Sequence, residues 1–159
     1  MEINTYNIKL VVDNDDVSKF KHLIESGLDI NSIITSDNKN VLIYCVVHGA
    51  TKITKYLIEI GADLNVQDDF GYTCTMISAY RNDLDTLLLF VKNGADLSIK
   101  DNNGKTIFDV DRWVISREEF HEYICEYQPG CISYIKDDVS DDLKNKYKLL
   151  FRMEGIGLL

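Results

Sequence analysis

Three segments of the chain end in nearly the same phrase: "ESGLDIN" at 25–31, "EIGADLN" at 59–65 and "KNGADLS" at 92–98. Their glycines, Gly27, Gly61 and Gly94, are 34 and 33 residues apart. A fixed period of this length restricts the fold more than any composition can, because it marks one small supersecondary unit used again and again. Before each glycine stand "DVSKFKHLIESG", "ATKITKYLIEIG" and "DLDTLLLFVKNG". Each carries an apolar cluster next to the glycine, and Phe20, Ile53 and Leu87 lie about one turn earlier. That spacing predicts a short amphipathic helix with a buried C-terminal turn. The glycine stops it, because the residue at C′ enters the left-handed region at a cost of about 1–2 kcal/mol for an ordinary L-residue.

A second punctuation point lies twelve residues before each glycine, at Asp15, Gly49 and Asn82. These residue types tolerate left-handed backbone best. Each follows another short apolar segment, "IKLVVDN", "LIYCVVH" and "TMISAYR". A unit therefore reads helix, tight turn, helix, glycine stop, extended loop. One unit is too small to bury its own apolar faces, so neighbours must stack into a continuous core. A fourth unit opens at "DNNGKTIFDVDRW" in register with "DDFGYTCTMISAY". Its second helix is recast as "SREEFHEYICEY", with a capping box at Ser116 and Glu119, and it ends at Gln128-Pro129-Gly130. Beyond Gly130 the period stops. "SDDLKNKYKLLFRM" has an N-cap and an apolar face of Leu143, Tyr147, Leu150 and Phe151, which predicts a helix docked on the last unit, with a free recruitment helix as the alternative.

Composition narrows the surroundings. The 159 residues are 45% hydrophobic and 27% charged, enough for one domain with a real core. No apolar run approaches the roughly 18 residues needed to span a bilayer. The formal charge of −9 repels phosphate backbones and anionic membranes, so nucleic acid and membrane are not expected partners; a basic protein surface is. Cys45, Cys74, Cys125 and Cys131 lack the dense spacing of a secreted disulfide scaffold, which places the chain in a reducing cytoplasm.

On its 33-residue period, "GADLN" at 61–65, "GADLS" at 94–98, "DDFGYT" at 68–73 and "DNNGKT" at 101–106, the chain resembles the ankyrin repeat family over about residues 5–127. The family's Thr-Pro-Leu-His helix start appears here as Asn40-Val41-Leu42-Ile43 and Thr73-Cys74-Thr75-Met76, without its proline and histidine. The resemblance implies an all-α solenoid of helix-turn-helix units with hairpin loops. The expected units are about 5–35, 36–68, 69–101 and 102–127, within an array at 1–127, followed by a helical cap at 128–159. It also implies non-catalytic protein binding through loop tips and first helices, without cofactor or metal. The protein is expected to act as a monomer that occludes or recruits its partner, as viral host-modulating proteins of this kind do. The alternative is a bacterial immunity protein that neutralises a basic toxin.

The binding residues should lie where the copies differ. Near the end of each first helix the open position holds Asp13, Val47, Tyr80 and Trp113, and the next holds Asn14, His48, Arg81 and Val114. A row with Trp, Tyr and Arg has the composition of a binding hot spot. Trp113 could instead be core beneath the C-terminal segment. The loop tips add Asp69, Phe70, Tyr72 and Asn103, with the two aromatics facing either a partner or a neighbouring tip. The expected contact set is Val47, His48, Asp69, Phe70, Tyr72, Tyr80, Arg81, Asn103 and Trp113. A rival expectation is a metal-dependent enzyme using His121, Cys125 and Cys131, for which no fourth ligand is evident.

Overall fold

The computed structural model describes residues 2–109, which form six α-helices and one short 3-10 helix. The helices α1 (Thr5–Asp13) and α2 (Val17–Glu25) make the first unit, α3 (Val41–His48) and α4 (Thr51–Glu59) the second, and α5 (Cys74–Tyr80) and α6 (Leu84–Lys92) the third. The 3-10 helix Ile107–Asp109 opens the fourth. Helices α2, α4 and α6 start 34 and 33 residues apart, the interval of the glycines. The second helix expected in the fourth unit, the C-terminal cap at 128–159, Trp113, Val114, His121, Cys125 and Cys131 lie outside the described residues. Among those described, the extended pairing is one antiparallel bridge between Ile33 and Asn40.

Stacking produces two layers. The first helices pack in the order α1, α3, α5 and the 3-10 helix, and the second helices in the order α2, α4, α6. In the inner layer α3 has a neighbour on each side and α4 behind it, so Val41 through Val46 are all buried. In the outer layer α4 buries only Ile53, Thr54 and Leu57. The sequence carries this difference: "VLIYCVV" is apolar all round, whereas "TKITKYLIE" has one apolar stripe. Phe20, Leu23, Ile53, Leu57, Leu87 and Phe90, the stripe residues of the outer helices, are fully buried. Each contributes about 1.5–3 kcal/mol by leaving water.

Turns sit where the punctuation placed them. Asp15, Gly49 and Asn82 have φ of 47°, 73° and 56°. Asp15 does a further job: its two carboxylate oxygens accept from the N–H groups of Lys52 at 3.1 Å and Ile53 at 3.0 Å. The N-cap of α4 is Ala50, whose side chain cannot cap, so a residue of the preceding unit satisfies the free N–H groups of that helix.

The repeated phrase proves to be a hydrogen-bonded row. Within each copy the aspartate accepts from the N–H two residues on: Asn31 to Asp29 at 2.9 Å, Asn65 to Asp63 at 2.9 Å and Ser98 to Asp96 at 2.8 Å. Between copies the asparagine accepts from the next aspartate's N–H, Asp63 to Asn31 at 3.0 Å and Asp96 to Asn65 at 2.8 Å. The glycine aims the chain, the aspartate closes the turn and the asparagine joins it to the following unit.

Candidate functional site

A second row of loops, the hairpin tips, lies beside the first helices. In the middle tip the buried carboxylate of Asp68 accepts from the N–H groups of Phe70 at 3.0 Å and Tyr72 at 2.9 Å. Asp101 does the same for Asn103 and Lys105, both at 2.9 Å, and Thr35 accepts from Lys39 at 2.9 Å in the first tip. The tips are joined to one another. The N–H of Asp69 donates to the Asp37 carbonyl at 3.2 Å, and that of Asn102 to the Phe70 carbonyl at 3.1 Å. Gly71, at φ 80°, passes so close to the third tip that a Cβ would stand 2.7 Å from the Asn102 nitrogen.

With the backbone groups paired inward, the middle tip leaves Asp69 and Phe70 exposed. Phe70 is 56% exposed, and its ring stacks on the half-buried Tyr72 with centroids 6.2 Å apart. Tyr72 in turn meets Tyr80 at 5.4 Å in an edge-on contact, and Tyr80, the last residue of α5, is 41% exposed. Three of the expected contact residues thus form one aromatic strip from the hairpin tip to the end of a first helix. Beside it, the Lys39 ammonium stands 5.9 Å from the Phe70 centroid, pairs with Asp37 and lies 3.9 Å from the Asp68 carboxylate. Hydrogen bonds from Lys39 and Thr35 hold the Asp37 carboxyl down at about 2. The next carboxylate, Asp69, is exposed and makes no ion pair among the described residues.

The remaining expected residues are more occupied. Val47 is half-buried against the core. His48 is exposed, but its Nδ1 is 3.0 Å from Asp13 and its ring stacks on Tyr44 at 4.0 Å. The Tyr44 hydroxyl also donates to Asp13, at 3.3 Å, while Lys9 covers the Tyr44 ring at 5.5 Å. Burial, then the Asp13 charge, raise the Tyr44 pKa above the ordinary phenol value. Arg81 donates from Nη1 to the Val47 carbonyl at 2.7 Å, placing its cation at the C-terminus of α3. Asn103 is exposed at the third tip.

Sequence reasoning missed Lys39 as a partner of Phe70 and Tyr44 as the platform under His48. A signal for the first existed: Lys39 and Tyr72 occupy the same register position one period apart, so stacking brings their surroundings together. The chemical inventory is otherwise quiet. Cys45 and Cys74 are buried, and burial pushes both thiols up, so they stay protonated and poorly nucleophilic. Among the described residues no group of three or more His, Cys, Asp or Glu could hold a metal ion, and no helix is long and apolar enough to cross a membrane.

Comparison with known proteins fits this geometry. Residues 8–107 match the family profile described as ankyrin repeats, in three copies. Among the similar proteins are a fowlpox virus ankyrin repeat protein, 30% identical over 58% of this chain and 21% of its own, and the Arabidopsis thaliana regulatory protein NPR4, 24% identical over 85% of this chain and 24% of its own. Human ankyrin repeat domain-containing protein 37 is 24% identical over 91% of this chain and 89% of its own. The chain thus spans about a fifth to a quarter of the first two relatives.

Proposed function

The chain belongs to the ankyrin repeat family, and on that premise we propose that it is a non-catalytic binding protein whose first-helix face and hairpin tips occlude or recruit a partner protein. The observation that carries this is the Phe70, Tyr72, Tyr80 strip, in which three rings touch in sequence while the outer two keep about half their surface open. Aromatic side chains have large contact area and little rotamer freedom to lose, and they dominate interface energetics. The backbone of the tip does not depend on the Phe70 ring, since Asp68 and Asn102 hold it. The charge of −9 favours encounter with a basic surface and disfavours nucleic acid and anionic membranes. We place this activity in the cytoplasm, carried out by a monomer without cofactor. The similarity to a poxvirus ankyrin protein favours a viral host-modulating role over an immunity protein.

Photo-crosslinking tests the proposal. A photoreactive phenylalanine in place of Phe70 should trap one defined protein in the cells where the chain is naturally made. The same residue in place of Glu59, exposed on the outer helix α4, should not. Equal trapping at both positions, or trapping only at position 59, would sink the assignment of this face.

A further inference from the structure

We infer that the middle hairpin tip is a subsite for an arginine side chain of the bound partner; this rests on the protein-binding function proposed above and specifies what the tip recognises. The chain itself places a cation there. Lys39 brings its ammonium to 5.9 Å from the Phe70 centroid, inside the roughly 6 Å within which a ring face attracts positive charge. Even so, more than half of Phe70 is open. The tip also keeps unmatched negative charge. Asp37, Asp68 and Asp69 stand on or beside it, whereas the single ammonium is shared between Asp37 and Asp68, so the exposed Asp69 carboxylate is left over. An open ring one residue along the chain from an exposed carboxylate that makes no ion pair among the described residues suits a guanidinium better than any other side chain. Its plane can lie on the ring while its edge donates two hydrogen bonds to Asp69. An ammonium is a point charge and satisfies one of these demands less well. An alkyl side chain would cover the ring and leave the carboxylate unanswered, and an acidic one would be repelled. Tyr72 stacks on Phe70 and extends the platform toward α5, giving the rest of a basic segment somewhere to lie.

The test uses the full chain, labelled with 15N and titrated with acetyl-Arg-Gly-Arg-amide and its norleucine and glutamate counterparts. The arginine peptide should move the amide signals of Asp69, Phe70 and Tyr72 most. Phe70→Leu and Asp69→Asn should each weaken it about three- to tenfold, and raising salt should weaken it further. Equal shifts from the norleucine peptide, or arginine shifts elsewhere or absent, would overturn the subsite. If crosslinking at position 70 succeeds while the arginine peptide fails, only the subsite is lost. If crosslinking fails while the peptide binds, the partner proposal is lost instead.

Discussion

Two rows of loops run along this solenoid, and they differ in how side chains are used. In the row carrying Asp29-Asn31, Asp63-Asn65 and Asp96-Ser98, the aspartate recurs in every copy and the asparagine in the first two, and the side-chain oxygens of both accept from the chain's own backbone. In the row of tips the buried acceptors Asp68 and Asp101 recur, but the outward residues change from Asp37 to Phe70 to Asn103. The first row can be read as construction, because each substitution would strand a hydrogen bond. The second separates the roles within a few residues: the acceptor builds, and its neighbours are free to vary.

Gly71 tests the constructive part most severely. Gly71→Ala meets both a positive φ and the backbone of Asn102 at 2.7 Å, whereas Gly61→Ala, at φ 86°, meets nothing within 4 Å. Urea unfolding should show a loss of about 2–4 kcal/mol for the first and about 1–2 kcal/mol for the second. Equal losses would mean that the contact between tips is not tight. Next in size is Asp15→Ala, which removes the cap shared between units and should cost about 1–2 kcal/mol. A cost near zero would show that α4 does not depend on its neighbour for its N-terminus.

A smaller change should go the other way. Asn40 and Thr73 occupy the same register position and both cap their helices, but the buried Nδ2 of Asn40 has no hydrogen-bond partner. Asn40→Thr keeps an acceptor for Ile43 and removes that orphan donor, so the melting temperature should rise, by an amount equivalent to about 1 kcal/mol. The smallest effect concerns Asp37. Its folded pKa, about 2, lies below the ordinary 3.8, so its contribution is complete above about pH 4 and fades as pH falls toward 2. NMR titration should find that low value, and Lys39→Met should return it toward 3.8. An unchanged midpoint would remove Lys39 from the tip.

The architecture was legible because its signals are local. Gly61 stops a helix and Asp15 turns left-handed for reasons contained within a few residues, so period and punctuation sufficed to place six helices. The exposure of Phe70 and Tyr80 follows from register in the same way, one lying at a loop tip and the other at the end of a first helix. What the sequence did not disclose are contacts between residues one period apart, which exist only after stacking. Arg81 fits a hot-spot composition, yet its guanidinium reaches back 34 residues to the Val47 carbonyl. Asp15 reads as a turn residue and also caps a helix 37 residues away. Lys39 lies beside Phe70, 31 residues on, a contact that stacking alone creates.

The most direct test of the difference between the two rows pairs stability with capture in the same samples. Phe70→Ala combined with Tyr80→Ala should leave the melting temperature within a few degrees of the original and abolish affinity pull-down, by the tagged chain without a crosslinker, of the partner that crosslinking identified. Asn65→Ala, which strands the Asp96 N–H, should lower the melting temperature while the protein, assayed below its transition, still recovers the partner. The opposite pattern, partner recovery surviving loss of both aromatics but failing with Asn65→Ala, would contradict the account, because the repeated phrase and not the varied strip would then be the binding surface.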